Sequence, residues 1–277
     1  MSTSVIHRII RSHPSSDGDG VKIRRVALFN EMVSDPFLMI DELRSDNPKD
    51  YIGGFPPHPH RGMETLTYLR QGGLEHRDHL GNRGMIHSGG AQWMSAGRGI
   101  IHSEMPSREA NGLHGFQLWI NLPAVNKMQA PDYRDVPASE IPRIETDNYR
   151  VYAIAGSWKL HGETINGTLM NMAAHAGILD IELSPGAEVL IEAPAGHSLM
   201  AFVYEGALDL DQEVAPKSLL VMRNEVTGNR LGSTTGAHLL LLAGEPIREK
   251  IVHYGPFVMN TVAEIEQAID DYNRGRF

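Results

Sequence analysis

Two histidines one residue apart, His58 and His60, stand in the stretch FPPHPHRGMETLTYL, directly before an alternating apolar run. In an extended strand, residues i and i+2 project from the same face, so both imidazoles can reach one point. Pro59 between them restricts the backbone. A second pair with the same spacing, His102 and Glu104, follows the glycine-rich turn of SAGRGIIHSEMP. Three imidazoles and one carboxylate could therefore converge on one ion.

Such a set of nitrogen and oxygen ligands suits a divalent transition metal. Iron(II), manganese, cobalt, nickel, copper and zinc all accept imidazole and carboxylate ligands, and a set that leaves coordination positions free resembles oxygen-activating iron sites. The chain has no cysteine, which excludes thiolate ligands, thiolate nucleophiles, iron–sulfur clusters and disulfides. These residues leave the identity of the metal open.

Seven of the fourteen histidines lie between His58 and His114, the stretch that contains both pairs. We interpret His76, His79 and His87 there as turn or surface groups. Gln117 and Trp119 alternate with apolar residues in HGFQLWINL. The face that carries them either lines the metal cavity or forms the outside of the sheet, and the sequence does not separate these two possibilities.

The rest of the chain predicts the scaffold that must position these groups. From residue 21 onward, short apolar or alternating runs are bounded by Gly, Pro, Asn or Asp, which is typical of an all-β sandwich or barrel. One helix is predicted at the end, where Thr261 and Glu264 form a capping box before an apolar pattern at helical spacing. We expect this helix to pack against a barrel.

A weak internal repeat relates the two halves of the chain. A shift of 134 positions (196 − 62 = 134) places Gly62 on Gly196, and the same shift places Gly72 on Gly206. The first glycine of each half precedes an equivalent alternating run, and the second follows it. A repeat of this kind predicts that one structural unit has been duplicated.

The repeat also predicts the division into domains and where the chemistry lies. We expect domains at 1–140 and 141–277, joined through the polar, proline-bearing segment 132–148. The shift places Glu192 and Pro194 on the two histidines of the first pair. Only the first domain is therefore expected to bind a metal, and the second is expected to be a degenerate copy.

Composition and charge exclude several classes of function. The net charge of −9 and the absence of a Lys/Arg run disfavour direct binding to nucleic acid. The opening residues lack the apolar core of a secretory signal, and no run of eighteen apolar residues predicts a membrane span. A cytoplasmic protein without a membrane partner is the expectation.

The motifs resemble those of a known family. HPHRGMETLTYL followed by GMIHSGGAQWMSAGRGIIHSEMP is similar to the pirin family of the cupin superfamily, and so is the ending GPFVMNTVAEIEQAIDDYNRGRF. The resemblance covers nearly the whole chain. It implies an all-β bicupin, with two cupin β-barrels of the double-stranded β-helix (jelly-roll) type, a C-terminal helix and one mononuclear metal, usually iron, in the first barrel. The ligands that it implies are His58, His60, His102 and Glu104.

The general cupin pattern offers a different carboxylate. It places a glutamate a few residues after His-x-His, where this sequence has Glu64, whereas pirins use the position of Glu104. We rank Glu104 first as the ligand, because its spacing from His102 repeats the spacing of the first pair. Glu64 is expected to line the barrel or to contact the ligands from outside, and either carboxylate is a candidate general base.

The resemblance implies two kinds of activity. Pirin-like proteins are associated with the oxygenolytic opening of flavonols such as quercetin, so the first interpretation is a quercetin 2,3-dioxygenase type of enzyme with a flavonol-like small molecule and dioxygen as substrates. The alternative is a redox-sensing iron protein that modulates a transcription factor or a metabolic enzyme by protein–protein contact. A scaffold that is merely stabilised by its metal is a third, weaker interpretation.

Overall fold

Short alternating runs separated by glycine turns form strands throughout this protein. Its structure is a computed structural model, which describes residues 5–27, 29, 32–107, 111–223 and 228–277. The first twelve strands are β1 Ile6–Arg11, β2 His13–Asp17, β3 Val21–Ala27, β4 Phe37–Ser45, β5 Phe55–His60, β6 Met63–Gln71, β7 Gly73–Asp78, β8 Arg83–His87, β9 Ala91–Ser95, β10 Ile100–Pro106, β11 Leu113–Asn121 and β12 Asp132–Val136. The others are β13 Arg143–Glu145, β14 Tyr149–Ala155, β15 Ser157–Leu160, β16 Glu163–Asn166, β17 Gly177–Leu183, β18 Ala187–Glu192, β19 Ser198–Gly206, β20 Leu208–Asp209, β21 Glu213–Val214, β22 Ser218–Met222, β23 Asn229–Ser233, β24 Ala237–Gly244, β25 Val252–Tyr254 and β26 Phe257–Met259.

Helices are few in the part of the chain that the structure describes. There is one α-helix, α1 Val262–Asn273, and its capping box is formed as predicted, because the Thr261 side chain accepts a hydrogen bond from the Glu264 backbone and the Glu264 side chain accepts one from the Thr261 backbone. Five short 3-10 helices complete the description: Met32–Ser34, Pro48–Asp50, Ala124–Asn126, Ala138–Glu140 and Ala173–His175. The predicted all-β fold with a C-terminal helix is confirmed.

The first compact unit carries both predicted ligand pairs. It comprises residues 14–25, 37–138 and 247–277. Its strands form a four-stranded sheet in the order β5-β10-β7-β8 and contribute most of a seven-stranded sheet in the order β12-β9-β6-β11-β4-β3-β2. The strands β5 and β10 are antiparallel neighbours, and His102 lies opposite His58 in their register. Sheet pairing therefore brings together two motifs that lie about forty residues apart in the sequence.

The second compact unit repeats this arrangement. It comprises residues 1–13, 26–36 and 139–246. Its seven-stranded sheet has the order β1-β22-β19-β24-β17-β14-β13, which matches the first when β6 is placed on β19 and β11 on β24. Gly62 and Gly196 have φ values of 79° and 81° before the equivalent strands, and Gly72 and Gly206 have 101° and 66° where those strands end. Only glycine adopts such positive φ angles without strain, which explains why the repeat keeps these residues.

The two units differ from the predicted continuous halves, 1–140 and 141–277, at both ends of the chain. The first residues lie with the second unit because β1 pairs with β22. The last thirty-one residues, including α1, lie with the first unit. There Val258 N donates to Arg61 O at 3.0 Å, and Arg61 Nη1 lies 2.8 Å from Asp271 Oδ2. The segment that was expected to close the second domain therefore packs behind the strand that carries His60.

A buried lysine joins three parts of the first unit. Lys127 is 1% exposed, and its Nζ donates to Gly62 O at 2.8 Å, to Asn121 Oδ1 at 2.7 Å and to Val258 O at 3.0 Å. Burial lowers the pKa of Lys127 to about 8. The three acceptors satisfy the buried ammonium group, and they tie β26 to the turn that precedes β6.

No helix of the described ranges has the length and apolar character needed to cross a membrane. The cytoplasmic location stays a prediction.

Candidate metal centre

Three of the predicted ligands converge inside the first unit. The ring centroids of His58, His60 and His102 lie 4.8, 4.4 and 4.9 Å apart in pairs, and one candidate ligand atom from each ring lies within 4.8 Å of the others. Within the described residues, no other group of three or more His, Cys, Asp or Glu side chains brings candidate ligand atoms this close. The i, i+2 spacing of the HPH motif and the pairing of β5 with β10 account for this convergence.

The environment of the three rings fits a bound divalent metal. His60 and His102 are 1% and 2% exposed, and their Nδ1 and Nε2 atoms, respectively, are buried without a hydrogen-bond partner. Buried polar atoms without a partner are rare, since each one costs free energy. The half-buried ring of His58 has its Nδ1 2.8 Å from Pro56 O. An Nδ1–H group that donates to this carbonyl leaves Nε2 with its lone pair, which is the form that binds a metal.

Burial also sets the protonation of the two inner rings. It lowers the pKa of His60 well below its ordinary value, and the nearby His58 adds to the effect. The pKa of His102 is likewise lowered by burial and by the neighbouring imidazoles. Both rings are therefore neutral at physiological pH. Neutral imidazole is the form that ligates metals, so this pocket needs no proton release from these two rings when it is loaded.

These neutral rings make the stability of the metal-free protein sensitive to acid. In the unfolded chain both histidines bind a proton near pH 6.5, whereas in the folded chain they do so only at lower pH. Unfolding therefore takes up protons below pH 6.5, and stability should fall as the pH is lowered from 6.5 towards 5. At its steepest, each ring contributes about 1.4 kcal/mol per pH unit to the free energy of unfolding. Denaturant titrations of the metal-free protein at several pH values measure this slope.

Two variants serve as comparison for this acid sensitivity. The double variant His60→Gln/His102→Gln should show a flatter dependence between pH 6.5 and 5, because neither buried ring is left to titrate. The variant His87→Gln replaces an exposed ring and should keep the slope of the unchanged protein. Equal slopes in all three proteins would contradict the assignment of the effect to the buried pair.

Glu104, the predicted fourth ligand, is buried near these rings but does not belong to the group whose candidate ligand atoms converge. Its Oε1 lies 2.7 Å from Thr67 Oγ1, which in turn lies 2.6 Å from Gln117 Oε1. A hydroxyl has one proton to donate, so it can donate to only one of these two oxygens at a time. With an ionised Glu104, Thr67 donates to the carboxylate, and a rotated Gln117 amide donates its NH₂ to Thr67. Metal ligation by Glu104 stays a prediction.

Glu64, the other candidate carboxylate, points elsewhere. Its Oε2 accepts a hydrogen bond from Trp93 Nε1 at 2.9 Å. Glu64 and Thr67 are three residues apart in the regularly paired strand β6, and side chains an odd number of residues apart lie on opposite faces. Because Thr67 faces Glu104, Glu64 lies on the face away from it. The geometry gives no support to Glu64 as a barrel-lining base.

The face of β11 that carries Gln117 and Trp119 lines the site, which answers a question that the sequence left open. Gln117 contacts Thr67, and the Trp119 ring meets the His60 ring edge to face with centroids 5.0 Å apart. Both side chains are half-buried. Together with the half-buried His58, they mark the part of the site that solvent reaches.

The interpretation of His76 as a turn or surface group is wrong. Its side chain is 0% exposed, and its Nδ1 lies 3.4 Å from His102 Nδ1. On its other side, Nε2 lies 3.4 Å from Asp78 Oδ2. His79 and His87 are exposed, as expected. The motif HRD has the same i, i+2 spacing as HPH, which was the available signal that both of its side chains point inward.

A further polar cluster lies in the segment that was interpreted as a connection. Strand β12 places Tyr133 against His76, with ring centroids 4.5 Å apart. Tyr133 Oη donates to Asp135 Oδ1 at 2.6 Å, and Gln92 Nε2 donates to the same carboxylate oxygen at 2.9 Å. Burial and the Asp135 carboxylate raise the pKa of Tyr133. The phenol therefore stays protonated and acts as a hydrogen-bond donor.

The equivalent region of the second unit is apolar. Strand β18 pairs with β23 as β5 pairs with β10, and Val189 lies opposite Leu231 in that register. Both residues, and Ile191 beside them, are 0% exposed members of a large apolar cluster. Glu192 and Pro194, which the repeat places on the two histidines, follow in sequence. That the second barrel binds no metal stays a prediction.

Comparison with known proteins shows which families and sequences this chain is similar to. The Pirin family model matches residues 20–120, and the model of the Pirin C-terminal cupin domain matches residues 178–277. A Vibrio cholerae protein named "Putative quercetin 2,3-dioxygenase" is 47% identical over 98% of this chain and 97% of its own. A Pseudomonas aeruginosa protein of the same name is 44% identical over 95% of this chain and 94% of its own. The crystal structure of quercetin 2,3-dioxygenase from Acinetobacter baumannii superposes with a TM-score of 0.90 at 30% identity, covering 100% of this chain and 99% of that one.

Proposed function

This chain belongs to the pirin family of two-domain cupins, and on this basis we propose that it is a mononuclear metal-dependent dioxygenase of the quercetin 2,3-dioxygenase type. Flavonols or similar enolisable compounds and dioxygen are the proposed substrates. The observation that carries the proposal is the convergence of three imidazoles, two of them buried with unpartnered ring nitrogens. The names of the relatives at 44% and 47% identity support the reaction type.

The proposed ligands are His58, His60, His102 and Glu104. Iron(II) is the proposed metal, and manganese, cobalt, nickel, copper and zinc suit the same donor set. A divalent metal held there would supply positive charge that favours the deprotonated form of a substrate hydroxyl. The buried side of the site excludes water, which strengthens every electrostatic interaction inside it.

Glu104 is the proposed proton acceptor. In its ionised form, Oε1 accepts a hydrogen bond from Thr67, 2.7 Å away. When Glu104 takes the hydroxyl proton of the substrate on Oε2, Oε1 keeps accepting the hydrogen bond from Thr67. When the proton lies on Oε1 instead, this bond reverses, so that the carboxyl group donates to Thr67 and Thr67 donates to Gln117 Oε1, 2.6 Å away. The chain of three side chains can thus accommodate both states of the carboxyl group by rotation of a hydroxyl and an amide.

Trp119 is proposed to guide the substrate. Its half-buried ring stands edge to face against His60. A planar aromatic substrate can pack against such a ring while its hydroxyl and keto oxygens face the imidazoles. Gln117 lies on the same strand face and can donate or accept a hydrogen bond at the edge of the substrate.

Anaerobic reconstitution tests the proposal. The metal-free protein is loaded with iron(II), quercetin is added, and oxygen is then admitted while flavonol absorbance, oxygen and carbon monoxide are followed. We expect absorbance to fall with the consumption of one dioxygen and the release of one carbon monoxide per flavonol opened. Manganese, cobalt, nickel and copper are loaded in parallel, and metal-free protein is the blank.

The outcomes separate the two kinds of function. Full metal stoichiometry without turnover of quercetin or related enolisable compounds, under any of these metals, would overturn the dioxygenase proposal. It would leave the regulatory role through a protein partner that the family resemblance also implies.

A further inference from the structure

We propose that Asp78 and His76 are positioning residues that fix the tautomer of His102, so that the Nε2 atom of His102 carries the lone pair offered to the metal. The inference rests on the metal site proposed above. It concerns protein groups that can be observed without metal, substrate or turnover.

The three side chains form a continuous chain of contacts. Asp78 Oδ2 lies 3.4 Å from His76 Nε2, and His76 Nδ1 lies 3.4 Å from His102 Nδ1. Both distances are slightly longer than those of an ordinary N–H hydrogen bond, which are roughly 2.7–3.2 Å. The side chains of Asp78 and His76 are 0% exposed, so water does not compete for these contacts. The pairing of β7 with β10, in which His102 lies opposite Asp78, holds the three residues in this order.

The chemistry of the groups determines where the protons lie. An ionised carboxylate only accepts hydrogen bonds, so the contact with Asp78 requires a proton on His76 Nε2. A neutral His76 then has a lone pair on Nδ1, and the contact with His102 requires a proton on His102 Nδ1. The remaining nitrogen, His102 Nε2, is left with its lone pair. That atom is the one buried without a hydrogen-bond partner.

Asp78 is itself held in place and kept ionised. Its Oδ1 accepts hydrogen bonds from the backbone of Leu80 and Asn82, both at 3.0 Å, and its Oδ2 accepts one from Asn82 Nδ2 at 2.7 Å. Although burial alone would raise it, the pKa of Asp78 lies below its usual value because of the hydrogen bonds from Asn82 and His76. The Tyr133 ring stacks on His76 and restricts the rotation of its imidazole.

This order of donors makes a specific prediction for Asp78→Asn. The amide oxygen can keep the two backbone contacts of Oδ1, which directs the amide nitrogen towards His76 Nε2. An NH₂ group donates, so it favours the His76 tautomer with its proton on Nδ1. That proton then points at His102 Nδ1 and moves the His102 proton to Nε2, where it blocks the ligand atom. Replacing a single oxygen by a nitrogen should therefore reverse the direction of both hydrogen bonds, the one between residue 78 and His76 and the one between His76 and His102.

The experiment reads the tautomer directly. Metal-free protein labelled with ¹⁵N-histidine is examined by NMR at pH 8, and the His102 signals are assigned by comparison with His102→Gln. We expect a protonated Nδ1 and an unprotonated Nε2 in the unchanged protein, and the opposite in Asp78→Asn. The dissociation constant for cobalt(II), measured by competition with a chelator, should rise about 10- to 100-fold in Asp78→Asn, the usual effect of removing a group that orients a metal ligand.

Asn82→Ala is the matched control. It removes the side-chain contact that Asp78 makes within its turn, but Asp78 keeps its contact with His76. It should therefore preserve the His102 tautomer and bind cobalt(II) within about threefold of the unchanged protein, below the effect expected for an orienting group. A weakened site in both variants would mean that the turn matters and the proton order does not, which overturns the inference.

Two further results would overturn it. One is a proton on His102 Nε2 in the unchanged metal-free protein, a measurement that decides the matter even if Asp78→Asn does not fold. The other is an Asp78→Asn protein with an unaltered tautomer and affinity. Absence of flavonol turnover would leave the inference intact, so its failure and that of the proposed function are distinguishable.

Discussion

His102→Ala should bind divalent metal about 100- to 1,000-fold more weakly than the unchanged protein. Binding to a structural zinc site of four ligands is worth about 10–16 kcal/mol, or roughly 3 kcal/mol per ligand, and each 1.4 kcal/mol is about a factor of ten in affinity. The deleted ring lies between the other imidazoles of this region. It faces the His58 and His60 rings on one side and the His76 ring on the other. Its loss removes one of the three imidazoles that converge at the site.

Stability gives a second measure of the same loss. At a free metal concentration 1,000 times its dissociation constant, the unchanged protein should gain about 4 kcal/mol in its free energy of unfolding, whereas a 100- to 1,000-fold weaker variant should gain only about 0.4–1.4 kcal/mol at that concentration. Thermal melts with and without cobalt(II) or zinc(II), together with elemental analysis after gel filtration, measure both quantities.

His87→Ala is the matched control for this prediction. It removes an exposed histidine of the same sheet, and it should retain full metal stoichiometry and the full gain in stability. Full stoichiometry in purified His102→Ala would exclude His102 as a ligand, and an equal loss in His87→Ala would mean that the effect is not specific to the cluster.

The part of the site that the sequence predicted follows from local periodicity. His58 and His60 point the same way because the strand period is two, a rule that needs no knowledge of the fold. Bringing His102 to them required one non-local fact, the pairing of β5 with β10, and the resemblance to pirins supplied it. Strand periodicity does not predict where the longer Glu104 side chain places its carboxylate. That carboxylate is held by Thr67, a residue from a different sheet.

The residues that sequence analysis missed obey the same rule. In GLEHRD, Leu74, His76 and Asp78 share one strand face, and the apolar Leu74 indicates that this face is buried. The charged residues between them and the nearby glycines made the segment resemble an exposed hairpin. Tyr133 was missed for another reason, because DYRDV has no apolar alternation and the half-buried position of Tyr133 depends on non-local contacts, the pairing of β12 with β9 and the stacking on His76.

The exchange of chain ends between the units could not be predicted from local patterns. Strand β1 pairs with β22, about two hundred residues away in the sequence, and the C-terminal helix lies with the first unit through contacts such as Arg61 with Asp271. Neither contact leaves a periodic signature in the sequence. The capping box of the helix, which is entirely local, was predicted correctly.

Replacing the proposed base should have the largest effect on turnover. In Glu104→Gln, loaded with saturating iron(II), we expect the rate of flavonol opening to fall about 100- to 10,000-fold, the usual contribution of a general base. Glutamine has nearly the same shape and keeps an oxygen that can accept a hydrogen bond from Thr67, 2.7 Å from Oε1 in the structure, but its amide cannot take up the hydroxyl proton of the substrate. Saturation with metal separates this loss from any weakening of metal binding.

The proton transfer can be observed before oxygen is admitted. Quercetin absorbs at longer wavelength when its hydroxyl is deprotonated, so anaerobic mixing should show this change with the unchanged protein and not with Glu104→Gln. Thr67→Val, which keeps the carboxylate but removes the hydroxyl between Glu104 and Gln117, should form the deprotonated flavonol with a smaller loss of rate. If Glu104→Gln deprotonates quercetin as fast as the unchanged protein, the base is another group. Glu104 would then act only as a metal ligand, and its replacement would change only the dissociation constant for the metal.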